Sequence, residues 1–125
     1  MAFASLARER YISLETFKKN GAGVKTPVWF AEEGGAIYIY TLPDMSKVKR
    51  IRNNPRVRIA ACDMRGKVHG EWLEATARLA NQTETARGQE LLKKRYWPWK
   101  SIGDFFSRLR GRKQAVVVIQ PLNAT

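Results

Sequence analysis

Between Lys25 and Val57 the chain reads KTPVWFAEEGGAIYIYTLPDMSKVKRIRNNPRV, and this stretch limits the possible folds more than any other. Val24–Phe30 is β-branched and aromatic, and Ala36–Thr41 is a second run of the same kind. The Gly34-Gly35 pair between them sets a turn. Pro27 cannot donate to a ladder, which puts its strand at an edge or a bulge. Pro43 and Asp44 then open a helix of about two turns. Val48 and Ile51 fall three apart on its inward side, with cations between them facing out. Asn53, Asn54 and Pro55 stop it, because proline disfavours helix in the residue before it. Six cations (Lys47, Lys49, Arg50, Arg52, Arg56, Arg58) lie between Asp44 and Asp63 with no acid among them.

The flanking sequence continues the β pattern. Tyr11–Phe17 alternates with period two, the mark of a half-buried strand, and Asn20-Gly21 turns it into the strand that holds Pro27. Val57–Cys62 is a further strand, and the turn 63–67 leads into a long alternating strand, Val68–Ala80. A helix follows to about Tyr96 with Thr83 as its cap. Past Pro98, Ile102, Phe105, Phe106 and Leu109 have the spacing of a second amphipathic helix, which Gly111 ends. Ala115–Ile119 is a last, fully buried strand, and residues 2–9 are read as a short helix ahead of the first. About six strands joined mostly by tight turns predict a mainly β (α+β) fold, a six-stranded antiparallel split barrel with peripheral helices, and not alternating βαβ units. At 125 residues the expectation is one domain, 1–125.

Composition narrows the function. There is one cysteine, which rules out an intramolecular disulfide and a cysteine-based zinc cage. Cys62, in the apolar run RIAACD, is read as an inert core thiol. His69 is also alone, so a metal site lacks partners. No run reaches the roughly 18 apolar residues of a membrane span. Arg8, Glu9 and Arg10 follow directly on a few apolar residues, which makes no secretory signal, so the cytoplasm is the expected compartment. The net charge of +12 attracts polyanions, whether nucleic acid, anionic membrane or an acidic small molecule. It is concentrated in the 47–58 block and from Arg87 to Lys113.

Protein-supplied catalysts are scarce. The acids are scattered over turns and exposed faces, the serines lie in no nucleophile elbow, and the dinucleotide and Walker phosphate motifs are absent. No side chain is assigned as catalyst, and any reaction rests on a cofactor. A helix beginning near Ser46 presents free N–H groups and its positive dipole end to an anion. Ser46 adds a hydroxyl, Lys47 a first-turn charge, and Arg50, one turn on, a bidentate donor. Thr41, ending its strand, reaches the same spot. A solvated basic face capped by Ser46 is the competing reading.

The runs TPVWF, IYIYT, SKVKRIRNNPRV and GEWLEATARL resemble the pyridoxamine 5′-phosphate oxidase-like split-barrel flavoproteins, and most of all their small branch that uses the deazaflavin coenzyme F420. The likeness covers about residues 6–80 and continues more loosely to Pro121. It implies a homodimer with the cofactor in a groove at the interface, and hydride transfer between reduced F420 and an organic small molecule. By the same resemblance, Thr26, Pro27, Val28 and Trp29 line the ring and Lys25 reaches ring or phosphate. Tyr40 and Thr41 end the strand beneath the phosphate, Ser46 and Lys47 bind it, and Arg50 or Arg52 reaches an acidic tail. Where true pyridoxamine phosphate oxidases carry a glutamine near the start of the long strand, this chain has Gly70. It also lacks their C-terminal arginine–histidine segment, which argues against pyridoxine phosphate as substrate. FMN is the alternative cofactor in the same fold. A basic nucleic-acid-binding module, with Tyr96, Trp97 and Trp99 beside Lys93, Lys94, Arg95 and Lys100, is the alternative of another class.

Overall fold

The computed structural model describes residues 6, 9–41, 46–96 and 115–122. The expected helix 102–109, most of the expected helix 2–9, and Pro43, Asp44, Trp97 and Trp99 lie outside them. Seven strands, β1 (Tyr11–Phe17), β2 (Gly23–Trp29), β3 (Ala31–Glu33), β4 (Ala36–Thr41), β5 (Arg56–Cys62), β6 (Leu73–Leu79) and β7 (Ala115–Pro121), accompany two helices, α1 (Ser46–Asn53) and α2 (Gln82–Tyr96). All strand pairs are antiparallel in the order β2-β1-β5-β6-β7-β4-β3.

That order carries the architecture. β2 and β3 are the two edges of the sheet, yet only Phe30 separates them in sequence. A flat seven-stranded sheet would hold its edges about 29 Å apart, six spacings of roughly 4.8 Å. One residue spans no more than about 3.6 Å. The sheet must therefore curl until its edges meet, which is a barrel. Phe30, with no exposed surface, plugs that seam. Pro27 lies on β2, whose one ladder partner is β1, so its missing N–H costs no sheet hydrogen bond.

The barrel interior collects one face of each strand: Ile12 and Leu14, Ile37 and Ile39, Val57 and Ile59, Ala75 and Ala77, Val117 and Ile119, with Phe30 and Ile51 of α1 completing the cluster. α1 seals one end. Its Val48 and Ile51 are buried, as their spacing requires, and Pro55 follows its end directly. α2 covers the outer face of β4 and β7. Gly88 permits that close approach, since a Cβ there would lie 2.8 Å from Val116 Cγ1.

Three expectations are corrected. There are seven strands and not six, because the three-residue β3 pairs with β4 across the Gly34-Gly35 turn. Both glycines have positive φ, 63° and 79°, which a two-residue hairpin requires. The long strand begins at Leu73 and not Val68; only the isolated bridge between Cys62 and Val68 extends it backwards. The cap of α2 is Asn81 and not Thr83. Asn81 Oδ1 accepts the Glu84 N–H at 2.8 Å, and Glu84 Oε1 accepts the Asn81 N–H at 3.0 Å, a reciprocal capping box.

Glu84 also accepts both guanidinium arms of Arg78, at 2.6 and 2.7 Å. These bonds hold its carboxyl far below the ordinary 4.5, at about 2. A depressed carboxylate contributes stability above the unfolded value and loses it as pH falls through the folded one. Acid unfolding of the native chain should therefore lose this contribution between about pH 4.5 and 2. Glu84→Gln should be less stable at neutral pH and show a shallower acid limb, followed by circular dichroism. Parallel acid limbs for the two proteins would remove Glu84 from that role.

Candidate functional site

α1 follows β4 and packs against the far end of β1. Lys47 and Arg50 are three apart, so they share one flank of the helix beside its buried Val48–Ile51 stripe. Arg50 Nε donates to Thr16 Oγ1 at 2.6 Å, and Thr16 is itself buried. That bond fixes the guanidinium plane and leaves the two terminal nitrogens for another acceptor. Lys47 is half-buried; burial, and then the neighbouring Arg50 charge, lower its pKa. Among the described residues neither cation has a carboxylate partner. Two neighbouring positive charges, partly desolvated and unneutralised, store repulsion that an anion relieves.

The remaining expected site residues divide between the two faces of the sheet. Thr26 is opposite Leu14, and Val24 opposite Thr16, so the inward face of β2 ends beside the α1 cations. Val28, on the same face, packs on the core. Thr41, buried at the end of β4, leads toward Ser46, the exposed first residue of α1. Thr41, Ser46, Lys47 and Arg50 belong to one end of the barrel, Thr26 sits midway opposite Leu14, and Val28, opposite Ile12, lies toward the other end. Lys25, Pro27 and Trp29 alternate onto the outer face. Lys25 Nζ lies 5.1 Å from the Trp72 ring centroid, and Trp29 meets Tyr11 with ring centroids 6.3 Å apart. The Tyr40 side chain also turns outward, under α2, where it bonds Gln89 and burial raises its pKa. Only its backbone faces the α1 end. Arg52 is exposed on the opposite flank of α1.

Two constellations escaped the sequence. Thr16, which orients Arg50, looks like any strand threonine, and its partner is 34 residues away. On the outer face, Lys25, Glu15, Arg58 and Glu74 are successive register partners across β2, β1, β5 and β6. Arg58 bridges both acids at 3.2 Å and stacks 4.9 Å from the Trp72 ring centroid. The alternating charges across adjacent strands were the available signal, but only the register reveals them. Cys62 is 2% exposed, and burial pushes its thiol up to about 11, so it is an inert thiol at neutral pH. His69 Nε2 lies 2.7 Å from Glu9 Oε1. Among the described residues no helix is long and apolar enough to cross a membrane.

A curled antiparallel sheet whose edges meet, capped at one end by a short basic helix, defines the split-barrel class. Within that class the chain belongs to the pyridoxamine 5′-phosphate oxidase family, whose family model matches residues 2–122. Solved structures share the fold. A conserved hypothetical protein of Mycobacterium tuberculosis is 22% identical with a TM-score of 0.72, covering 98% of this chain and 82% of its own. The heme storage protein of Vibrio cholerae is 13% identical with a TM-score of 0.66, covering 94% of this chain and 84% of its own. A structure described as a domain-swapped dimer is 19% identical with a TM-score of 0.63, over 89% of this chain and 80% of its own. No curated protein matches the sequence.

Proposed function

We propose that this chain is a homodimeric oxidoreductase that binds a phosphate-bearing deazaflavin, coenzyme F420, and serves hydride transfer between it and an organic small molecule. The observation that carries the reading is the Lys47–Arg50 pair, two part-buried cations on one flank of α1 with no acid beside them, one oriented by Thr16. Their chemistry fits a phosphate: a point charge, a guanidinium with two nitrogens left to donate, and the positive end of the α1 dipole at Ser46. The bound coenzyme would supply the hydride; the chain supplies position and charge. Thr26 and Val28, with the backbone of β2, would border the ring. Lys25, Pro27 and Trp29, on the outer face, and Tyr40, beneath α2, would take part through backbone alone, and Arg52 through an acidic tail. Family membership and the dimeric relative support a cofactor held between two copies.

FMN is the second reading, favoured by the family as a whole, and a yellow protein on purification would mark it. Titration of the purified chain with F420, FMN and heme, followed by fluorescence or absorbance, tests the proposal. Saturable binding of F420 tighter than the others is expected, and no saturable binding of either flavin-type cofactor would sink it. Lys47→Ala should weaken the bound cofactor by about 1–3 kcal/mol, the range of a hydrogen bond to a charged group. Lys49→Ala, at an exposed position of α1 with no part in the proposed site, is the control, with a much smaller loss. Equal affinities in Lys47→Ala and the parent chain would remove Lys47 from the site. A nucleic-acid module predicts instead weak, sequence-blind binding that collapses with added salt.

A further inference from the structure

Lys47 and Arg50 together can do more than attract an anion. Arg50 is anchored: its Nε donates at 2.6 Å to Oγ1 of Thr16, a side chain whose residue is 1% exposed. A guanidinium held through Nε presents its two terminal nitrogens side by side, a fork that takes two oxygens of one phosphate. Lys47 lies one turn back on the same flank, and side chains three apart on a helix are neighbours. Lys49, two residues from Lys47, is turned away from it and is exposed.

That neighbour of the fork is an unusual lysine. Lys47 is half-buried, and burial, then the Arg50 charge, lower its pKa. Desolvation and an adjacent cation are the two environments that turn a lysine amine into a nucleophile. A phosphate seated on the Arg50 fork therefore has a reactive amine beside it. In an acyl phosphate the carbonyl carbon is joined to phosphorus through a single oxygen. Docking the phosphate then holds the electrophilic carbon next to the amine, which replaces a chance collision by a positioned one.

We propose that Lys47 is a modification site, acylated by acyl phosphates whose phosphate end docks on the Thr16-anchored Arg50. The Nζ lone pair attacks the carbonyl carbon and forms an amide. The bond from that carbon to the bridging oxygen breaks, phosphate leaves with the electron pair, and the proton lost from nitrogen passes to phosphate or water. No oxidant, reductant or further reactant enters. The amide is uncharged, so the site keeps one of its two cations. The acylation stands on this geometry alone. Its consequence, that the modified chain loses a phosphate-bearing cofactor, rests on the reading above.

The test treats the full chain with acetyl phosphate, or with the N-hydroxysuccinimide ester of acetic acid as a donor without phosphate. Acetylation at each lysine is followed by peptide mass spectrometry. Acetyl phosphate should modify Lys47 at least about tenfold faster than Lys49, a ratio at least about threefold above the one the ester gives. Thr16→Val keeps the shape and removes the acceptor; it should slow Lys47 about three- to tenfold with Lys49 unchanged, and Thr16→Ser should restore the rate. Lys47 no faster than Lys49, equal ratios from the two donors, or a Thr16→Val chain that matches the parent would overturn the site. Bound F420 or FMN should shield Lys47 and leave Lys49 reactive. A chain that binds neither and still acetylates selectively at Lys47 supports this site and sinks the cofactor reading alone.

Discussion

Phe30→Ala is expected to cost about 3–5 kcal/mol of stability, the range for deleting a fully buried aromatic side chain. Phe30 is wholly buried and is the one residue between the two edge strands. The lost ring removes apolar burial and leaves a cavity the seam cannot collapse into, because β2 and β3 are each held by a neighbouring strand on the other side. Urea unfolding measures it, read as a shift in midpoint with the slope unchanged. Phe30→Leu, which keeps most of the volume, should recover more than half. A loss below about 1 kcal/mol would mean that the seam is not closed as described.

The second large effect is expected at Arg58. Glu15 is 7% exposed, and its recorded ion-pair partner is Arg58, at 3.2 Å. Arg58→Ala would leave the buried carboxylate without its 3.2 Å ion-pair partner, with only its register neighbour Lys25 as a nearby cation among the described residues; breaking a pair costs about 3–5 kcal/mol when both partners are fully buried. The Arg58 side chain is 36% exposed, so solvent reaches the pair and about 2–3 kcal/mol is the expected loss. Glu15→Gln in the Arg58→Ala background should restore part of it, because the unpaired charge is then gone. A double mutant no more stable than Arg58→Ala would show that stacking on Trp72, and not the carboxylate, is what Arg58 provides.

Most of the fold was legible because most of it is specified locally. β1 alternates apolar and polar from Ile12 to Glu15, β7 is a continuous apolar run from Ala115 to Ile119, and Val48 and Ile51 mark the inner side of α1. β3 was missed because three residues carry no periodicity. Its signal lay in the turn: a two-residue Gly-Gly loop demands paired residues on both sides, which makes Glu33 the partner of Ala36. The start of β6 was placed too early because Val68–Trp72 alternates as a strand does, while the ladder it would need is interrupted opposite Ala61. In the candidate site, spacing alone brought Lys47 and Arg50 to one flank. The strand alternation that sends Lys25, Pro27 and Trp29 to one face and Thr26 and Val28 to the other was equally visible. Which face is inward became clear only from the pairing of β2 with β1. Thr16 and the Glu15–Arg58 pair were out of reach, since their partners are 34 and 43 residues away.

The single-residue joint between the two sheet edges also bears on how the molecule breathes. In an open sheet the two outermost strands fray independently, each with its own rate of amide exchange. Here a displacement of β2 pulls directly on Phe30 and through it on β3, so the two rims loosen together or stay shut together. Amide protons on β2 and β3 should therefore share one opening free energy in native-state hydrogen exchange, although they lie at opposite ends of the ladder. The strand proposed to border the cofactor would then be steadied from both ends of the sheet at once.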